Sequence, residues 1–290
     1  MQFVLVVIIG FICLVMTRGS SFSVKISFAF LCVFVSSWLI LTFGFVNGHY
    51  SKCNTMNVIV RFCILLLFAP AFLHAQKSGE SDALVVNHTA NFDISGEGNA
   101  AEWNGADWIP LVKRKGAANY NTRAKLLYSD TGIYGLFSCM DEKITATMKE
   151  DFANLWTEDV VEIFLWTDER MPIYFEYELS PLNYELSILV PNIEGDFLGW
   201  RPWNYDGPRK TRHATKIVQD KNGRTTEWIA EFFIPYALLK PLKNVPPKKG
   251  TEWRINMYRV DYDQQYTAWS WKPVEKNFHD YDKFGLIRFD

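Results

Sequence analysis

DVVEIFLW (159–166), followed six residues later by IYFEYEL (173–179), is the stretch whose reading decides the fold. Side chains alternate between the two faces of a strand with period two, so each segment can be sorted by phase. In the first, Asp159, Val161, Ile163 and Leu165 share one face, and Glu158, Val160, Glu162, Phe164 and Trp166 share the other. In the second, Ile173, Phe175, Tyr177 and Leu179 form an apolar row, which leaves Tyr174, Glu176 and Glu178 opposite. The apolar rows belong in a core.

The same period runs outward in both directions. TRAKLLY (122–128), GIYGLFSCM (132–140), YELSILV (184–190), ATKIVQ (214–219), TTEWIAEFFI (225–234), EWRINMYRV (252–260) and FGLIRF (284–289) read as further strands. The Ser-Asp-Thr-Gly junction at 129–132 and Lys-Asn-Gly at 221–223 read as hairpin turns. Helical signal is confined to short pieces such as PYALLK (235–240). Many short strands at this spacing predict an all-β fold, an antiparallel β-sandwich or jelly roll. By phase, Trp228 and Trp253 face its core, with Ile255 and Met257 beside the latter.

Composition divides the chain in two. Of 290 residues, the first 75 carry four basic side chains (Arg18, Lys25, Lys52, Arg61) and no Asp or Glu. The remainder holds 26 basic against 32 acidic groups, a net of −6. An acidic part does not suit a nucleic-acid partner, because neutralising phosphates needs a basic face. Ten of the eleven Trp lie between Trp103 and Trp271, so this part has the apolar mass to fold. Cys139 is its one thiol, which excludes an internal disulfide or a Cys-based zinc site there.

Three apolar runs precede it: 3–16, 26–46 and 58–72. The third has the layout of a secretory signal peptide over residues 56–75, opening at Met56, carrying Arg61 and ending at Ala75. The expected organisation is an extension at 1–55, a signal at 56–75 and a domain at 76–290 that is exported and monomeric. Two readings of the extension stand: upstream sequence translated from an early start, or a membrane association in which 26–46 spans the bilayer.

Function begins on the second face of the strands. Glu162, Glu176 and Asn256 share it with large aromatics, and Trp156, Trp269 and Trp271 lie near strand edges. Sugars offer hydroxyls at their ring edges and polarised C–H on their faces, so carboxylates, amides and indole planes together suit them.

In order, FDISGEGNAAEW (92–103), AKLLYSDTGIYGLFSCMDE (124–142), LWTEDVVEIFLWTD (155–168), WIAEFFIPYALL (228–239), GTEWRINMYRVD (250–261) and AWSWKPVEKNFHDYDKFGLIRF (268–289) resemble the family 9 carbohydrate-binding modules. The resemblance covers about 84–290 and implies a β-sandwich that grips sugar ends between two Trp rings. By position those rings would be Trp156 and Trp269, with Glu162 as carboxylate and Asn256 as amide. One position departs: where sugar-binding members carry an Arg on the strand after the Glu, this sequence has Glu176. The resemblance also implies structural calcium, and as partners a glycan and the enzymes that degrade polysaccharides. Three rivals stand beside it. Glu162 and Glu176 could form the carboxylate pair of a glycoside hydrolase. His213, His279 and Met148 could hold haem. The domain could also be a structural or adhesive surface module without sugar affinity.

Overall fold

The structure is a computed structural model that describes residues 83–194 and 196–290, together with the backbone of four strands nearer the N-terminus. The chain divides into two units, Met1–His74 and Ala75–Asp290. In the first, β1 (Val4–Val7), β2 (Ile12–Arg18), β3 (Phe22–Phe28) and β4 (Leu39–Gly44) pair antiparallel in sequence order. β3 and β4 thus occupy parts of 26–46, where one reading placed a spanning helix. Among the described residues no helix is long and apolar enough to cross a membrane. The signal segment at 56–75 lies outside the described residues.

The second unit continues with β5 (Leu84–His88), β6 (Ile109–Lys115), β7 (Thr122–Tyr128), β8 (Gly132–Met140), β9 (Val160–Trp166) and β10 (Ile173–Leu179). Then come β11 (Glu185–Ile193), β12 (Asp196–Phe197), β13 (Arg201–Pro202), β14 (Arg212–Gln219) and β15 (Thr225–Pro235). A one-turn helix α1 (Tyr236–Leu239) precedes β16 (Glu252–Asp261), β17 (Thr267–Ser270) and β18 (Gly285–Phe289). One antiparallel layer runs β11-β10-β9-β16-β17, with β18 beside the first half of β16. The other runs β14-β15-β8-β7. β6 pairs with both β17 and β7, and β5 lies parallel to both β18 and β7, so the layers are joined along one edge. This is the expected sandwich.

Phase places the core between the layers. Ile163, Leu165, Phe175, Tyr177, Ile255 and Met257 from one layer meet Phe137, Trp228, Phe232 and Ile234 from the other. Each is at most 1% exposed, and burial of one such side chain contributes about 1.5 to 3 kcal/mol. Trp253 joins them as its phase predicts.

Glu231, on the outer face of β15, is also fully buried. It accepts hydrogen bonds from Trp103 Nε1 (2.8 Å), Gly96 N (2.7 Å) and Ser95 N (3.0 Å). These pin the segment 92–103 over a second apolar cluster of Trp103, Leu127, Tyr134, Leu136 and Phe233. Gly96 has φ +81°, and a Cβ there would meet Ala214 at 2.9 Å, so the approach requires glycine. Glu231→Leu strands these three donors and the Ser95 hydroxyl, and should cost about 3 kcal/mol in urea denaturation. An unchanged midpoint would mean the segment is held by its apolar contacts alone.

Candidate functional site

The face of β9, β10 and β16 turned away from the inter-sheet core is apolar along most of its length. Phe164, Tyr174, Ile188, Tyr258 and Val260 pack there as a separate buried cluster. Trp156, on a 3-10 turn, and Trp200, Tyr262 and Phe278, on loops, pack partly buried against it. The loops leave a cavity of ≈ 620 Å³, within the range of small-ligand pockets. Trp156 and Trp200 meet edge to face at 6.3 Å, Tyr262 donates from its hydroxyl to the Trp156 carbonyl (3.1 Å), and Tyr262 meets Tyr266 at 5.7 Å. Phe278 stacks on Tyr258 at 4.0 Å.

The floor is acidic. Glu162, Glu176 and Glu178 line the cavity and are 3%, 4% and 1% exposed. The β9–β10 register puts Glu178 directly opposite Glu162, with Glu176 two residues along on the same face. Each leaves one buried oxygen without a hydrogen-bonding partner among the described residues: Oε1 of Glu162, and Oε2 of Glu176 and of Glu178. Burial, and then the neighbouring Glu176, holds Glu162 well above the usual carboxylate range. Burial, and then Glu162 and Glu176, does the same to Glu178. Glu176 is pushed up to about 8 by burial. His279 sits beside them, its Nδ1 2.6 Å from the Tyr174 hydroxyl and 3.7 Å from Glu176 Oε2. Burial lowers it to about 4, so it is uncharged at neutral pH.

A carboxyl raised on folding keeps a proton that the unfolded chain has already released. Its contribution therefore favours folding at low pH and fades as pH climbs from the usual Glu value towards 8. Asp159, pushed up to about 7 by burial, acts in the same direction. The melting temperature should fall by roughly 5 to 10 °C between about pH 5.5 and 8.5. Glu162→Gln with Glu178→Gln should flatten the slope. A melting temperature that rises across this window would contradict the assignment.

The structure brings together Trp156, Glu162 and Glu176 of the residues singled out in the sequence. It does not bring Trp269, Trp271 or Asn256 to them. Trp269 is 1% exposed and lies in the inter-sheet core, opposite Arg259 in the β16–β17 register. The Arg259 guanidinium lies 4.9 Å from its ring, so this indole cannot stack on a sugar. Trp271 packs on the same core, against Gly285. Asn256 is fully buried, its amide committed to the Tyr258 hydroxyl, the Lys272 carbonyl and the backbone N–H of Met257 and Lys272. It braces the loop after β17. The second aromatic wall comes instead from Trp200, with Tyr262 and Phe278. These lie on loops, where no period assigns a face. Glu178 was legible, since it shares its phase with Glu176. His213 lines a different surface recess from His279, and its Nδ1 is 2.9 Å from Asn183 Oδ1. His213 and His279 are therefore not brought together.

A second acidic group lies inside the sandwich. Asp141, Asp261 and Asp263 present carboxylate oxygens within 4.8 Å of one another, the donor chemistry of a hard cation. Arg259, fully buried, donates to Asp141 (2.9 Å) and Asp261 (2.6 Å), and also to Thr122 Oγ1 and the Met140 carbonyl. The guanidinium contacts two of the three carboxylates, and Asp263 accepts instead from the hydroxyls of Tyr120 (3.0 Å) and Thr145 (3.2 Å).

Comparison with known proteins follows this geometry. A family model described as "Carbohydrate family 9 binding domain-like" matches residues 94–290. No curated protein matches the chain. A crystal structure from Bacteroides uniformis ATCC 8492, of a protein to which carbohydrate binding has been ascribed, is similar at 15% identity and TM-score 0.58. That match covers 72% of this chain and 99% of the other. A family 9 carbohydrate-binding module from Caldicellulosiruptor kristjanssonii, solved with cellotriose, is similar at 18% identity and TM-score 0.52, covering 72% and 93%. The same module solved with glucose gives the same identity and TM-score, covering 72% and 95%.

Proposed function

The chain belongs to the carbohydrate family 9 binding domain-like family, and we propose that its cavity binds the end of a glycan without cleaving it. One observation carries the reading: a cavity whose walls are Trp156, Trp200 and Tyr262 and whose floor offers three buried carboxyls with unsatisfied oxygens. Indole and phenol planes suit the C–H faces of a sugar ring, and the carboxyls accept from its hydroxyls. Hydrolysis needs one carboxyl ionised while its partner keeps a proton. Here burial pushes all three the same way, which supports binding over catalysis.

Such a module aids polysaccharide catabolism indirectly, by holding a chain where degrading enzymes act on it. The test is a glycan-array screen of the protein, run with and without calcium, with glucose and cello-oligosaccharides as first candidates. Saturable binding that Trp156→Ala abolishes supports the reading. No binding to any glycan in either condition would leave a structural or adhesive module instead. A structural calcium ion is part of the proposal, held by Asp141, Asp261 and Asp263.

Export is proposed as well, on the signal layout at 56–75. Sequencing the N-terminus of the protein from its native source should read from near Gln76. A start within residues 1–55 would refute this.

A further inference from the structure

We propose that the cavity takes sugars bearing a free amino group, and prefers a protonated hexosamine unit to the corresponding neutral hexose. The inference rests on the carbohydrate reading and deepens it. It starts from the concentration of acceptors. Three carboxyl groups share one floor, and each carries a buried oxygen that the described residues leave unsatisfied. Burial holds these carboxyls in their protonated form, and an ammonium, which only donates and has three N–H groups to offer, is the kind of group that draws a buried carboxyl into its ionised, accepting form. A neutral hydroxyl can donate to one of these oxygens but brings no charge to hold a carboxyl ionised.

The cations that line the cavity do not fill this need. Arg114, Lys115 and Lys276 are exposed at its rim. Arg114 donates to Ser270 Oγ and to the carbonyls of Ser270 and Trp271, and Lys115 lies over the Tyr266 ring at 5.6 Å. His279, the nitrogen base nearest Glu176, is uncharged at neutral pH because of its burial. The floor therefore has buried oxygens without partners among the described residues and its positive charge at a distance. A ligand that carries the charge in with it corrects both deficits, and desolvated charge-assisted hydrogen bonds are the strong ones.

The walls point the same way. Trp156, Trp200, Tyr262 and Phe278 line the same cavity as the carboxyls, and a cation over the face of such a ring is attracted by its quadrupole. Aromatic rings and carboxyls lining one cavity suit an organic ammonium. A cavity of ≈ 620 Å³ has room for a sugar unit around that ammonium.

The test is titration calorimetry of the protein at about pH 6, where an amino sugar is protonated. The probes are the β-1,4 trisaccharides of glucosamine, glucose and N-acetylglucosamine, with choline as an ammonium that is not a sugar. The glucosamine trisaccharide should bind at least about tenfold more tightly than either neutral one. Glu162→Gln with Glu178→Gln should reduce that preference to about threefold or less, with melting curves showing that the variant is folded. Equal or tighter binding of cellotriose would overturn the inference and leave the carbohydrate reading intact. Failure of all three trisaccharides would overturn both. Choline binding as tightly as the amino sugar would assign the site to ammonium ions in general, and so also refute it.

Discussion

Replacing Arg259 with Met should destabilise the domain by about 3 to 5 kcal/mol in chemical denaturation, the scale for removing one partner of a buried ion pair. Arg259 and its two partners Asp141 and Asp261 are buried, and the guanidinium also satisfies Thr122 Oγ1 and the Met140 carbonyl. Met approximates its volume, so the loss reports charge and hydrogen bonding more than a void. Without the guanidinium the two carboxyls must keep protons to stay buried. The deficit should therefore grow from about pH 5 to pH 8. A variant as stable as the parent would mean that the group is not held by Arg259.

Trp156→Ala should weaken glycan binding by on the order of 2 kcal/mol, the loss expected of a central aromatic anchor. Its ring is half-buried at the cavity mouth, so melting should change little. Trp269→Ala should do the reverse. It empties a core position and should cost roughly 3 to 5 kcal/mol of stability, while the folded fraction binds normally. Calorimetric titration paired with melting curves separates the two. Equal binding losses from both variants would return Trp269 to the site, against its buried position.

The contrast between these two indoles shows how far the sequence could be read. Wherever a strand is long, period two assigned the faces: Ile163, Phe175, Ile255 and Trp253 are all in the inter-sheet core, and Glu162 and Glu176 are on the opposite face. Trp269 escaped because β17 has four residues, too few for phase to be read, and its pairing with β6 carries an irregularity between Ala268 and Trp269. Once Arg259 is placed on the core face by its register with Val161, the pairing of Trp269 opposite Arg259 fixes the ring inside. Asn256 had the right face, yet its amide is consumed by local bonds that no alternation pattern reveals. Trp200 and Phe278 reach the cavity through loops, whose paths depend on tertiary packing. Glu162 and Glu176 were legible for this reason, while Trp200, which meets Trp156 edge to face, was not.

The central claim is that the cavity on the outer face of β9 and β10 is where sugar binds. Two-dimensional NMR of the indole N–H groups during titration with a binding glycan tests it most directly, because the ten Trp from Trp103 to Trp271 report from described places. The signals of Trp156 and Trp200 should shift together and saturate, while those of the core residues Trp228, Trp253 and Trp269 stay in place. Shifts elsewhere, with Trp156 and Trp200 unmoved at saturation, would contradict the account.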